Sequence, residues 1–195
     1  MAGGISLAGA GTARLALDEP FEQRPSFAEA VLRRERPGQA EQQDFLRRAG
    51  DMRQIRMYSQ RTGESINTIY YVDGKYIPEA ITEISYFMRD WRQNEVRKYD
   101  PDNIDNLAAT LVMMETSEPY LMISGYRTPK TNRMLRGAAS NSFHLRAMAA
   151  DIRLKSRDVR TIQRAGVACG GGGVGYYGRS NFVHLDCGPI RTWNG

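Results

Sequence analysis

Hydrophobic and polar positions alternate in two neighbouring runs, 55–59 and 66–72, within "RQIRMYSQRTGESINTIYYVDGKYIPEAI"; the runs flank Thr62-Gly63 and lead into an Asp73-Gly74 turn. A period of two broken by glycine-containing turns predicts a β-hairpin, because the side chains of a strand point alternately to its two faces. The period then lengthens. Pro78 opens "PEAITEISYFMRDW", where Ile81, Ile84, Phe87 and Met88 recur at helical spacing, and Asp102 or Asn103 is expected to cap a second such stretch, "IDNLAATLVMMETS". Both apolar stripes, the Met113-Met114 pair included, read as faces turned to the core.

Further along come an apolar strand "YLMISGY", a short helix "PKTNRMLRG", a strand "AADIRL", a helix "SRDVRTIQRAGVA", and strands "GVGYY" and "FVHLD" on either side of the turn "GRSN". Strands at 120–126, 149–154, 173–177 and 182–186 with helices between them predict an α+β domain, with a mostly antiparallel central sheet flanked by helices. Residues 20–54 are rich in Arg, Glu and Gln and carry two short amphipathic pieces, "FAEAVLRRE" and "QQDFLRRAGDM". We therefore read 1–54 as an N-terminal arm with helical turns and 55–195 as the domain. The small, apolar start holds Ala8-Gly9-Ala10, which looks like a signal-peptidase site, yet no basic residue precedes Arg14. It reads as a trimmed export signal or as a flexible arm.

Composition narrows the partners. Hydrophobic residues make up 41% of the 195 and charged residues 25%, the balance of a globular protein, and no apolar run is long enough to cross a bilayer. The net charge is +5; of 27 basic and 22 acidic residues eight of each fall in 1–54, so the basic excess belongs to the domain. It is scattered, as in "MRDWRQNEVRKYD", without the stripe of a nucleic-acid reader, and suits an anionic cell-wall polymer. Cys169 and Cys187 flank the glycine-rich 170–175. They are two buried thiols or, in an exported protein, a single bridge.

The chain has two histidines. His144 lies in "SNSFHLRAMAADIRL", seven residues before Asp151, and His184 in "NFVHLDCG". Two imidazoles and a carboxylate are the donor set of a catalytic zinc, although a lone histidine near a turn is more often a satisfied polar residue.

Ser142-Phe143-His144, with Ala149 and Asp151, resembles the S-x-H-x-x-G-x-A-x-D signature of zinc D-Ala-D-Ala peptidases, the group with lysostaphin-like and hedgehog-like relatives. "ISGYRTPKTN" and "GGVGYYGRSNFVHLDCGPIRTW" are similar, more narrowly, to the MepK-like (YcbK-like) murein endopeptidases, so the resemblance covers about residues 55–193. Two positions depart from the wider pattern. Ala147 stands where the signature has glycine, and Asn181 where many relatives carry Glu or Asp three residues before the last histidine.

The resemblance implies that His144, Asp151 and His184 ligate Zn²⁺ in a site on the sheet, and that Arg127 faces substrate, holding a carboxylate or the carbonyl oxygen that becomes negative. Ser142 would offer its hydroxyl to a substrate carboxylate, or serve only a local turn hydrogen bond. In His184-Leu185-Asp186, residues two apart on a strand share a face, so Asp186 is expected beside the metal as general base, or else as a carboxylate that orients a ligand, or as a surface acid. No Lys-Ser/Thr follows Gly170–Gly173, which argues against a nucleotide loop. There the missing side chains would let an extended peptide approach, with Tyr176 and Tyr177 as its wall, or the run is only a flexible connection.

The implied activity is that of an exported or periplasmic zinc endopeptidase acting on peptidoglycan cross-link peptides, cutting the L,D bond between diaminopimelate residues. A D,D-endopeptidase or D,D-carboxypeptidase would use the same ligands. Asn181 motivates a reading from another class, a zinc-containing peptidoglycan-binding module without turnover, and a nucleic-acid binder is more distant still.

Overall fold

The computed structural model describes Leu46 and residues 50–195. The arm expected over 1–54 falls outside them apart from Leu46 and 50–54. The hairpin is formed by β1 (Met52–Ser59) and β2 (Ser65–Val72), antiparallel, and the Asp73-Gly74 turn, both residues at positive φ, leads into the short β3 (Lys75–Tyr76). β1 starts before the alternating run does, because Met52 and Arg53 pair with Val72 and Tyr71 ahead of a register shift at Arg53/Gln54.

Prolines start the next helices. α1 (Pro78–Phe87) and α2 (Pro101–Met113) each carry Pro in the first turn, where a missing N–H costs nothing. The cap of α2 is Asp100, whose carboxylate accepts from Asp102 N at 3.0 Å, rather than Asp102 or Asn103; Pro101 moves the helix start forward. Then follow β4 (Tyr120–Ser124), α3 (Pro129–Met134), a single 3-10 turn (Phe143–Arg146), β5 (Ala149–Arg153), α4 (Val159–Cys169), β6 (Gly173–Tyr177), β7 (Phe182–Asp186) and β8 (Arg191–Asn194). The sequence pattern does not foretell β8.

The eight strands form one mixed sheet in the order β3-β2-β1-β4-β5-β7-β6-β8. β1/β4 and β6/β8 are parallel and the other pairings antiparallel, so the class is α+β with a mostly antiparallel sheet. α2 and α4 pack on each other and on β7, burying Ile104, Leu107, Ile162, Val183 and Leu185 completely. Leu185 lies so close to Gly166 of α4 that a Cβ there would sit 2.7 Å from its Cδ2. That contact fixes the face of β7 under the helices, and alternation leaves His184 and Asp186 on the other. Asn103 and Asn106 of α2 donate to the carbonyls of Leu185 and Asp186, each at 3.1 Å, and pin the strand from the helix side.

Both cysteines are free: Cys169 is sealed in the core and Cys187 lies beside the Met148 carbonyl. Burial pushes each thiol up to about 12, so neither is a thiolate at neutral pH. Among the described residues, no helix is long and apolar enough to cross a membrane.

Candidate metal centre

One row across the sheet builds the floor of the site. Ser124 of β4 pairs with Asp151 of β5, Asp151 with His184 of β7, His184 with Gly175 of β6, and Gly175 with Trp193 of β8. A bulge in β4 between Met122 and Ser124 brings Ser124 into this row, the re-aiming that bulges perform beside functional sites. His144 arrives from above on the 3-10 turn. Ser142 Oγ accepts from His144 N at 3.4 Å at the start of that turn, and Ala147 ends it in the left-handed conformation at φ +56°. The Arg127 N–H donates to the His144 carbonyl at 3.1 Å, lacing the turn to the strand-end loop 125–128.

Three atoms converge. His144 Nε2, Asp151 Oδ1 and His184 Nδ1 stand 3.0, 2.9 and 3.1 Å from one another. Their partners on the far side decide what these atoms are. His144 Nδ1 lies 2.6 Å from the Gly125 carbonyl, an obligate acceptor, so the proton is on Nδ1 and Nε2 is a lone pair. His184 Nε2 donates to Asp186 Oδ2 at 2.9 Å, so in the neutral ring Nδ1 is a lone pair too. Asp151 Oδ2 accepts from Arg127 Nη2 and leaves Oδ1 to the triangle. With both rings neutral, three acceptors face one another with no donor between them, an arrangement that suits a cation, whether a metal ion or a proton on His184 Nδ1.

The electrostatics agree. Burial opposes the Asp151 charge, but the two imidazoles and Arg127 outweigh it and hold the carboxyl well below the usual range. Burial lowers the His144 pKa and favours the neutral ring, whereas at His184 the carboxylates of Asp151 and Asp186 overcome burial and raise it, because the negative charge gathered there favours a cation, a proton or a metal ion. A tetrahedral zinc with bonds of roughly 2.0–2.2 Å sets its ligands about 3.3 Å apart, so the set fits this ion with a slight outward shift. Each of the three side chains has its own brace, the Gly125 carbonyl, Asp186 and Arg127, the kind of support that metal-bound histidines and carboxylates have.

Asp186 shares the face of His184, as alternation requires, but not the cleft. It is fully buried behind the imidazole, where Oδ1 accepts from Gly173 N, Gly188 N and Arg191 Nη1 and Oδ2 from His184 Nε2 and Arg191 Nη2. Burial would raise its pKa; the hydrogen bonds from His184 and Arg191 outweigh that and hold it far below the usual carboxylate range. The expectation that it stands beside the metal as a base is corrected by this placement: the ring lies between its carboxylate and the triangle.

The glycine run is corrected as well. A Cβ on Gly173 would come within 2.6 Å of Asp186 Oδ2, and one on Gly175 within 2.6 Å of the Trp193 ring, so these glycines admit the protein's own side chains rather than a peptide. Tyr176 points to the helix side, with the Arg160 guanidinium 4.8 Å from its ring centre, and does not line the cleft. Tyr177 does, stacked on Phe182 at 4.5 Å and accepting from Trp193 Nε1 at 3.0 Å.

The triangle lies in a cleft of about 700 Å³, which Arg127 and Ser142 also line. Arg127 Nε donates to Ser124 Oγ at 2.8 Å, and its Nη1 has no hydrogen-bond partner among the described residues. Along the sheet order the wall beyond His184 is aromatic apart from Arg191, with Trp193 5.2 Å from the His184 ring, while Arg61, Arg92 and Arg136 line the cleft elsewhere. Among the described residues lining it, Asp151 is the sole acid. Sequence reasoning missed the Gly125 carbonyl, Trp193, Phe182 and Arg191 as members of the site. The "GPIRTW" ending was a signal for two of them, but their contacts arise from the β6/β8 register.

An α+β sheet that turns two imidazoles and a carboxylate to one point, at the floor of a basic cleft, is what a metallohydrolase offers. The family described as Peptidoglycan L,D-endopeptidase MepK matches residues 47–193. Peptidoglycan L,D-endopeptidase MepK of Escherichia coli (strain K12) is 39% identical over 136 residues, 68% of this chain and 75% of that protein, and the MepK of Shigella flexneri matches to the same extent. The probable peptidoglycan L,D-endopeptidase MepK of Haemophilus influenzae is 35% identical over 141 residues, 69% of this chain and 75% of that protein. The chain belongs to the MepK family, one of the M15 peptidases.

Proposed function

We propose that the protein is a zinc endopeptidase of the bacterial cell envelope, working in the periplasm, that hydrolyses the L,D cross-link between two diaminopimelate residues of peptidoglycan. Membership of the family makes it a peptidase acting on peptidoglycan. The ion, the residue roles and the compartment are our reading, carried by one observation: three acceptor atoms converge at the cleft floor, each braced from behind.

His144, Asp151 and His184 would hold the zinc, which when bound supplies a Lewis acid and a water of lowered pKa. The chain's own residues do the remaining work. Gly125 and Asp186 fix both imidazole tautomers, so that lone pairs face inward. Arg127, tied to Ser124 and Asp151, is assigned to the oxygen that becomes negative as the amide is attacked; a guanidinium set in place beforehand needs no reorganisation at that moment. Ser142 Oγ uses a lone pair on the His144 N–H, and its own hydrogen remains for a substrate carboxylate. Tyr177, Phe182 and Trp193 are assigned to the wall against which an extended peptide packs. Asp186 is assigned to positioning His184.

The test is mass spectrometry of purified muropeptide dimers, L,D and D,D cross-linked in separate reactions, incubated with the protein with added zinc and again with a chelator. Chelator-sensitive release of monomers from L,D dimers is the expected result. Dimers left intact by zinc-loaded protein would overturn the reading in favour of a binding module, and cleavage of D,D dimers alone would overturn the choice of bond.

A further inference from the structure

The cleft is chemically lopsided. β1 and β4 run parallel, with Ser59 opposite Met122, so the β1–β2 turn lies at the same sheet end as Ser124 and the metal centre. Arg61 of that turn and Arg92 of the loop after α1 gather on one indole: their Cζ atoms lie 5.9 and 4.3 Å from the Trp91 ring centre. Both line the cleft with Arg127. At the opposite end of the sheet order, beyond His184, the lining is Tyr177, Phe182 and Trp193 with Arg191, whose guanidinium is already paired with Asp186.

Several other arginines have carboxylates: Arg89 holds Glu64 at 2.9 Å, Arg53 holds Asp105 at 2.7 Å and Arg191 holds Asp186 at 2.7 Å. Among the described residues, no carboxylate pairs with Arg61 or Arg92, nor with Arg136 elsewhere in the cleft, but only Arg61 and Arg92 share one indole. Asp90, next to them in the chain, is committed elsewhere, accepting from Thr128 N and Oγ1 through one oxygen and from the backbone N–H groups of Arg92 and Gln93 through the other. The Arg92 pKa is lowered, by burial first and then by Arg61 and Arg127 against the pull of Asp90, so Arg92 feels the positive charge of both. Like charges gathered in a cleft without an anion are unfavourable, and an anion binding between them gains twice, from its own ion pairs and from relief of the repulsion.

We propose that Arg61 and Arg92 form a carboxylate subsite that binds the free carboxylate of a diaminopimelate residue in the substrate peptide. The inference rests on the peptidoglycan reading above and deepens it. Diaminopimelate carries two carboxyl groups, and one stays free when the other is locked in an amide. A planar guanidinium matches that group in shape and charge. The subsite also sets direction, because a peptide bound with its charged side on the aromatic wall would lose the pairing.

The test uses synthetic L,D cross-linked peptides in which each free diaminopimelate carboxylate is converted in turn to a carboxamide. Wild-type protein is expected to favour the acid over one of the amides by about 10–100-fold in kcat/KM, the range of a charge-assisted pairing. In R61Q/R92Q that ratio falls to about 1, and each single variant lies between. A wild-type ratio near 1 for every amide, or a ratio unchanged in a folded double variant, overturns the subsite. If zinc-loaded wild type cuts no form, the endopeptidase reading fails separately. The subsite is then read by calorimetric binding of the same intact peptides to chelator-treated protein, where equal affinity for acid and amides overturns it and a lower affinity for one amide supports it.

Discussion

Replacing Asp186 with Asn changes one oxygen to an NH₂ group and separates the two roles this residue can have. In the wild type Oδ1 takes three N–H groups and Oδ2 takes two, from His184 Nε2 at 2.9 Å and Arg191 Nη2 at 2.7 Å. An asparagine whose oxygen keeps the first three must turn its amide nitrogen to His184 and Arg191, donor against donor. The imidazole escapes by moving its proton from Nε2 to Nδ1, which then no longer offers a lone pair to the triangle. Loss of such a supporting carboxylate lowers metal affinity roughly 10–100-fold, or about 1.4–2.7 kcal/mol. The assay is a zinc titration against a competing chelator, followed by turnover at saturating zinc, with circular dichroism to confirm folding. We expect weaker binding, and kcat within about tenfold of wild type once the metal is saturating. A general base contributes about 10²–10⁴-fold. A zinc-saturated, folded variant that loses activity on that scale would refute the argument and return Asp186 to the role of base.

Arg127→Lys keeps the charge but loses the fork that spans Ser124 and Asp151; kcat should fall about 10²–10³-fold with KM little changed, and steady-state kinetics giving a drop of less than threefold would contradict the role assigned to Arg127. Asp90 is buried, and its pKa is lowered because the N–H and O–H donors around it outweigh burial; its contribution to stability is therefore present above its ordinary value of 3.8 and lost as pH falls below it. Asp90→Asn should cost about 1–3 kcal/mol at neutral pH and flatten the acid side of the stability profile, whereas urea-unfolding profiles that stay parallel below about pH 4 would contradict this. Ala147→Gly relieves about 1–2 kcal/mol of left-handed strain but loses roughly 0.8 kcal/mol of methyl burial and about 0.4–1 kcal/mol through the freer unfolded chain, so its net effect should stay within about 1 kcal/mol of zero, and a urea-measured loss above about 2 kcal/mol would sink the estimate.

The parts legible in the sequence were those with a local cause. Alternation on either side of Thr62-Gly63 foretold the hairpin, Pro78 the start of α1, and the apolar period β6 and β7 at the bounds observed. β8 escaped because four residues, "RTWN", carry too little pattern and owe their strand to a parallel partner 18 residues upstream. The direction of Tyr177 is a matter of register: Gly175 faces His184 across the strands, so odd positions of β6 share the site's face, and no spacing along the chain reveals that pairing. Asp186 is similar. A period of two names the right face but not the depth, and depth is set by Arg191 and by the glycines that let the carboxylate sink behind the ring. Arg61 gave no signal, since a charged residue in a hairpin turn is ordinary until the sheet order carries it to the cleft.

The central claim is that cross-link cleavage depends on one metal ion held by His144, Asp151 and His184. Its most direct test is elemental analysis of zinc per chain in the same samples assayed on L,D muropeptide dimers, for wild type and for His144→Ala, Asp151→Ala and His184→Ala, each checked for folding. One zinc per chain with cleavage in the wild type, and loss of both in every variant, is the expected result. A folded variant that keeps stoichiometric zinc, or that cleaves without it, would contradict the account.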